Sequence, residues 1–162
     1  MEALAVVGTR QPTSYGVTMT RAITEGLVDE NILIVSGLAR GIDGIAHETA
    51  LAHGGKTIAV LDRRHRRLLS QRKCAIYEEM KLHQLIVSEY PHHHEPHKDN
   101  FPWRNRIIAG LADAVFVSEA KRRSGTLITV GYALYLGKDV YALPHLANVD
   151  STATASSRTG RP

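Results

Sequence analysis

The chain has 162 residues, of which 43% are hydrophobic, 6% aromatic and 22% charged; this is enough for one packed core, too little for two, and it excludes a disordered chain, a collagen and a disulfide-dense miniprotein. Lysine and arginine number 20 against 16 acids, but residues 62 to 73 hold six of those cations and one Asp, so the rest of the chain is close to neutral and net charge alone is weak grounds for a nucleic-acid partner. No apolar run approaches the roughly 18 residues of a membrane helix, and Met1-Glu-Ala-Leu lacks a secretory flank, so the expected setting is the cytoplasm, with no membrane partner.

Leu4-Ala-Val-Val7 opens the chain as a buried strand, followed by the turn Gly8-Thr9-Arg10 and a helix-period segment near 15 to 29. Ile32-Leu-Ile-Val35 is the second strand, with the turn Ser36-Gly37-Leu38-Ala39-Arg40-Gly41 and a helix near 42 to 53. Thr57-Ile-Ala-Val-Leu61, Leu85-Ile-Val87, Ala114-Val-Phe-Val117 and Asp139-Val-Tyr-Ala142 complete the strands. Helices near 74 to 83, 103 to 111 and 126 to 136 lie between them. Continuous apolar, β-branched strands alternating with helices predict an α/β fold: a doubly wound, mostly parallel sheet with helices on both faces. The domain is expected to span residues 1 to 144. The Ser/Thr/Ala-rich segment 145 to 162 holds few large apolar residues and is expected to fray.

In such a sheet the strand-to-helix turns share one edge, and ligands bind where strand order reverses. Three turns carry suitable groups: Gly8-Thr9-Arg10, the turn from Ser36 and Gly37 to Arg40, and Ser124-Gly125-Thr126. Glycine admits a close approach of the backbone, free amides at a helix start and a hydroxyl suit an anionic oxygen, and arginine adds a two-pronged phosphate grip. Gly37, Gly41 and Gly44 have the wrong spacing for a dinucleotide fingerprint, and Gly55-Lys56-Thr57 precedes a strand, so it is no phosphate-binding loop of the nucleoside triphosphatase kind. No cofactor is expected. The run His92-His93-His94-Glu95-Pro96-His97 lacks the fixed geometry of a metal site, the lone Cys74 has no thiol partner, and no metal is assigned.

Lys98, Phe101, Trp103, Arg104 and Arg106 follow in one basic, aromatic segment. Aromatic faces stack on any base while cations follow the phosphates, which is the chemistry of single-strand binding. The competing reading packs the aromatics at the helix start and leaves the arginines in surface pairs.

The blocks Val7-Gly-Thr-Arg-Gln-Pro-Thr13, Ser36-Gly-Leu-Ala-Arg-Gly-Ile-Asp43 with Ala46-His47, Gly54-Gly-Lys-Thr-Ile-Ala-Val60, Ser88-Glu-Tyr-Pro91, Asn100-Phe-Pro-Trp-Arg-Asn-Arg-Ile-Ile-Ala-Gly-Leu111 and Ser124-Gly-Thr-Leu-Ile-Thr129 resemble the DprA/Smf proteins, DNA-processing factors of bacterial natural transformation. The resemblance implies an extended Rossmann-like domain that binds and protects single-stranded DNA, helps load the RecA recombinase, forms a possible homodimer and has no catalytic turnover. It implies that Arg10, Ser36, Gly37, Arg40, Ser124 and Thr126 line a phosphate pocket. Lys98, Phe101, Arg104 and Arg106 would grip the strand, with Phe101 stacking a base.

The family pattern departs at residues 62 to 73, where a glycine turn is replaced by an arginine-rich run; a local reading-frame slip is expected there, with a true basic insertion as the alternative. It departs again after Pro144, where His145 replaces a glycine. The chain reads as an isolated or truncated core. The alternative function is that of a nucleoside 5'-monophosphate phosphoribohydrolase on a related scaffold, with Glu89 and Glu119 as the candidate acids. That activity needs a Pro-Gly-Gly-x-Gly-Thr-x-x-Glu run, and Arg123-Ser-Gly-Thr-Leu-Ile-Thr129 has no glutamate at the corresponding place.

Overall fold

The computed structural model describes residues 1–62, 71–90, 100–121 and 124–145, without the side chains of 71–73, 100 and 101. Within these residues six strands and five helices alternate: β1 (Ala3–Val7), α1 (Ser14–Asp29), β2 (Leu33–Ser36), α2 (Ile42–Ala52), β3 (Thr57–Leu61), α3 (Gln71–His83), β4 (Leu85–Ser88), α4 (Asn100–Leu111), β5 (Ala114–Val117), α5 (Gly125–Tyr135) and β6 (Asp139–Ala142). The strands form one sheet in the order β4-β3-β2-β1-β5-β6, and every pairing is parallel.

Alternation along the strands divides the core between two faces. Ala5, Val7, Val35, Val60, Val115 and Val117 pack with Ile108 and Ala109 of α4 and Val130 and Ala133 of α5. Val6, Ile34 and Phe116 face the other way, onto Val28 of α1 and Ile42, Ala46 and Ala50 of α2. Ala59 and Leu61 continue that second face onto Ile76 and Met80 of α3. Helices therefore cover both sides, which is why the central strands β1, β2 and β5 are almost wholly apolar.

Local chemistry sets the helix ends that matter for function. Thr13 caps α1, its hydroxyl accepting the Gly16 N–H at 3.1 Å. Pro102 occupies the first turn of α4, where a missing N–H costs no intrahelical bond, so α4 begins three residues before the expected start at 103. The strand order reverses between β1, which leads to β2, and β5, which lies on the other side of β1. The arginine-rich residues 63 to 70 and the segment from 146 onward, where a frame slip and a frayed tail were expected, lie outside the described residues.

Candidate functional site

A cleft of about 650 Å³ opens at the carboxyl edge of the sheet beside this reversal, within the range of small-ligand sites. One wall is the β1–α1 turn, Gly8 to Gln11, together with Ala39, Arg40 and Asp43 from the β2–α2 turn and the start of α2. The facing wall is Lys121 and Ser124, Gly125 and Thr126 at the start of α5, and Pro102, Asn105 and Ile108 of α4 line the cleft as well.

The first wall is a single piece of backbone. The Ile42 amide donates to the Thr9 carbonyl at 3.1 Å. Gly41 at φ 81° lies so close that a Cβ there would stand 2.2 Å from the Thr9 carbonyl oxygen, so neither the dihedral nor the space admits a side chain. Leu38, in the same turn, holds a left-handed φ of 53° while 2% exposed. A branched side chain in that region is strained, and such strain persists only where the surroundings enforce it. Arg10 and Arg40 stand exposed on this wall.

On the facing wall, Ser124 precedes α5 with extended backbone and makes no capping bond. Its Oγ is buried and has no hydrogen-bond partner among the described residues. The first amides of a helix have no intrahelical acceptor, and beside such a hydroxyl they suit an anionic oxygen; the exposed Lys121 adds positive charge next to them.

Of the residues expected at a phosphate site, the structure thus brings Gly8, Thr9, Arg10, Arg40, Ser124, Gly125 and Thr126 to one cleft. It does not bring Ser36, Gly37 or Arg104 there. Ser36 is the last residue of β2, fully buried, and its hydroxyl donates to the Val6 carbonyl at 2.6 Å, which ties β2 to β1. The Gly37 amide donates to Asp43 Oδ2 at 3.2 Å.

Arg104 is 2% exposed, and its Nη1 donates to the Val60 carbonyl at 2.8 Å. Burial lowers its pKa from the usual guanidinium value, while the charges of Asp43 and Asp62 raise it; the group stays cationic. Where a grip on the strand was expected of Arg104, the structure has a buried tie between α4 and the end of β3. Two residues on, about 200° around the helix, Arg106 is at the surface, 41% exposed in its side chain and hydrogen-bonded to the Glu89 carboxylate. Lys98 and the side chain of Phe101 lie outside the described residues.

Among the cleft residues that escaped the site assignment made from sequence are Asp43, Asn105 and Lys121. Asn105 is 3% exposed and its Nδ2 donates to the Gly125 carbonyl at 3.1 Å, fastening α4 to the start of α5. Asp43 in the first turn of α2 is a position that favours a carboxylate on dipole grounds, which was the available signal. Both acids considered for catalysis are engaged elsewhere: Glu89 with Arg106, and Glu119 accepting the Thr13 N–H at 3.0 Å and the Thr13 hydroxyl at 3.1 Å.

Behind the first wall, His47 is fully buried, with Nδ1 2.7 Å from Thr57 Oγ1. The Thr57 hydroxyl spends its one hydrogen on the Ile34 carbonyl at 3.0 Å, so His47 Nδ1 is the donor. Desolvation pulls the imidazole pKa down to about 3, against the raising effect of the Ser36 backbone and with a further lowering from Arg104. His47 is therefore a neutral structural group.

The model of the family described as DNA recombination-mediator protein A matches residues 1–159. Protein Smf of Synechocystis is 45% identical over 146 residues, 90% of this chain and 37% of that protein. The solved structure of DNA processing protein A from Streptococcus pneumoniae superposes with a TM-score of 0.81 at 39% identity, covering 98% of this chain and 55% of that one. DNA processing protein A from Helicobacter pylori, solved for its single-stranded DNA binding mode, gives a TM-score of 0.87 at 29% identity, covering 98% of this chain and 73% of that one. The chain spans 37%, 48% and 50% of the lengths of three relatives it matches in sequence. With the family model matching residues 1–159 and the fold superposing on two solved DNA processing A proteins, the chain belongs to the DprA/Smf family of DNA recombination-mediator proteins.

Proposed function

We propose that the cleft binds single-stranded DNA without sequence preference, as part of a protein that receives and shields DNA during uptake and natural transformation. The observation that carries this reading is the pairing of the exposed cations Arg10 and Arg40 on one wall with the unused Ser124 hydroxyl, the α5 start and Lys121 on the other. Main-chain amides and flexible cations recognise the backbone that all sequences share. Family membership and the single-strand binding described for the Helicobacter pylori protein support it.

In this reading Arg106, still partly exposed, joins the contact at the expense of its pair with Glu89, and Lys98 and Phe101 extend it, Phe101 by stacking on a base. The role is binding, with no turnover of its own. Loading of the RecA recombinase, a homodimer and a place in the cytoplasm belong to the same reading and rest on the family resemblance. No helix among the described residues is long and apolar enough to cross a membrane.

The deciding measurement is fluorescence anisotropy with a labelled oligonucleotide, single-stranded and duplex, at two ionic strengths. The single strand should bind more tightly, with log K falling against log salt by about 0.7 per phosphate neutralised. Salt-insensitive binding, or a preference for duplex, would overturn the proposal. Phe101→Ala should weaken the single-strand complex by about 1–3 kcal/mol if the ring stacks.

A further inference from the structure

Arg104 and Asn105 are neighbours on α4, yet they fasten to different parts of the cleft. Successive helical residues diverge by about 100°, and these two use the divergence. Arg104 reaches one way, to the Val60 carbonyl, and its Nη1 and the Asp43 Oδ2 lie 1.7 and 2.6 Å from one point, the place of a Cβ on Gly37. Asp43 holds the Gly37 amide, and the Ile42 amide next to it holds the Thr9 carbonyl, so the wall bearing Arg10 and Arg40 follows Arg104. Asn105 reaches the other way, to the Gly125 carbonyl, so the wall bearing Ser124 and Thr126 follows Asn105. Both side chains are almost wholly buried, at 2% and 3% exposure. Two buried side chains on one rigid helix thus span from wall to wall.

We propose that Arg104 and Asn105 are positioning residues which set the separation of the two anion-holding walls, and that neither grips the strand. The proposal rests on the single-strand reading above. A phosphate held from both sides needs donors within about 3 Å of its oxygens on each, so a small drift of either wall forfeits contacts without removing any charge from the cleft.

The test uses the full chain, a labelled oligothymidylate as probe, and the variants Asn105→Ala, Asn105→Gln and Arg104→Lys. Asn105→Ala should weaken binding about tenfold, the equivalent of one good hydrogen bond, with the salt slope unchanged because no cation has been lost. Asn105→Gln, which keeps an amide donor, should recover part of that loss. Arg104→Lys keeps the charge and loses the planar fork, and should behave like Asn105→Ala. A direct phosphate contact by Arg104 would instead appear in Arg104→Met as a salt slope smaller by about 0.7, and would overturn the assignment for that residue. A folded Asn105→Ala with unchanged affinity would overturn the proposal even if Arg104→Lys does not fold. If the unsubstituted chain binds no single strand, this inference falls together with the functional reading. Binding by the parent with normal affinity in Asn105→Ala removes the inference alone.

Discussion

The guanidinium of Arg104 fills the place where Gly37 would carry a side chain: a Cβ on Gly37 would stand 1.7 Å from Nη1 and 2.6 Å from Cζ of Arg104. Such a clash is mild when the obstructing group is a free-swinging side-chain end. Here that end is buried and tied to the Val60 carbonyl, with Asp43 Oδ2 only 2.6 Å from the same point. Gly37→Ala should therefore cost about 1–3 kcal/mol of stability, the range of an overpacked core, measured by urea denaturation. The loss should shrink when Arg104→Met is already present, because that substitution removes the obstructing group. Equal losses in the two backgrounds would show that the alanine is rejected for another reason.

Arg10, Arg40 and Lys121 stand exposed around the cleft from three separate turns. If each meets one phosphate, Arg10→Ala, Arg40→Ala and Lys121→Ala should each lower the salt slope of oligonucleotide binding by about 0.7 and weaken binding to all sequences alike. An unchanged slope in any of the three removes that residue from the contact. Arg40 is a particularly clean test because, as an exposed turn residue, its substitution leaves the core packing untouched.

The strands and helices were legible in the sequence because a doubly wound sheet needs runs such as Ile32 to Val35 and Ala114 to Val117, whose burial on both faces writes itself as unbroken apolar sequence. The turns of the cleft were legible as turns because small residues stand with a cation after β1 and β2, and the doubly wound order brings those turns to one edge. The burial of Arg104 was not read because the spacing of Arg104 and Arg106 resembles a basic patch. On a helix those two residues point nearly apart, and Arg104 shares the face of Ile108 four residues on, which is 1% exposed. That spacing was the available signal. Ser36 was expected in the turn because a serine ending an apolar run looks like the first turn residue, whereas it is the last rung of β2. Asn105 and Lys121 had no local pattern to betray them, since their roles come from α4 meeting α5 and from the loop beyond β5.

Lys138, after α5, donates from Nζ to the carbonyls of Ala109 at 2.8 Å and Gly110 at 2.7 Å, and to that of Ala112. These are the carbonyls at and just beyond the end of α4, where a cation meets unsatisfied acceptors and the negative end of the helix dipole. Lys138→Met keeps the aliphatic stem and removes every one of these bonds. It should lower stability by about 1–3 kcal/mol, the worth of hydrogen bonds to a charged group, read as a shift in the urea midpoint without a change in slope. Oligonucleotide affinity of the folded variant should stay as it was, since Lys138 itself does not line the cleft. A midpoint within error of the parent would show that the ammonium is as well served by water.

His47 should make the fold sensitive to acid. In the unfolded chain its imidazole takes a proton below its ordinary value of 6.5, whereas in the native protein burial holds the pKa near 3. Between those values the unfolded state binds the extra proton, so stability rises with pH and is lost progressively as pH falls from 6.5 towards 3. By pH 5 the lost contribution is about 2 kcal/mol relative to pH 7.5. Carboxylates titrate in the lower part of this window, so the parent should be compared with His47→Gln, which retains an amide to donate to Thr57 Oγ1 but cannot protonate. The variant should be less stable at pH 7.5 through imperfect packing. The gap between the two should narrow by about 2 kcal/mol on going to pH 5. Parallel pH profiles would show that His47 is protonated equally in both states, and would contradict the burial that isolates it between α2 and β3.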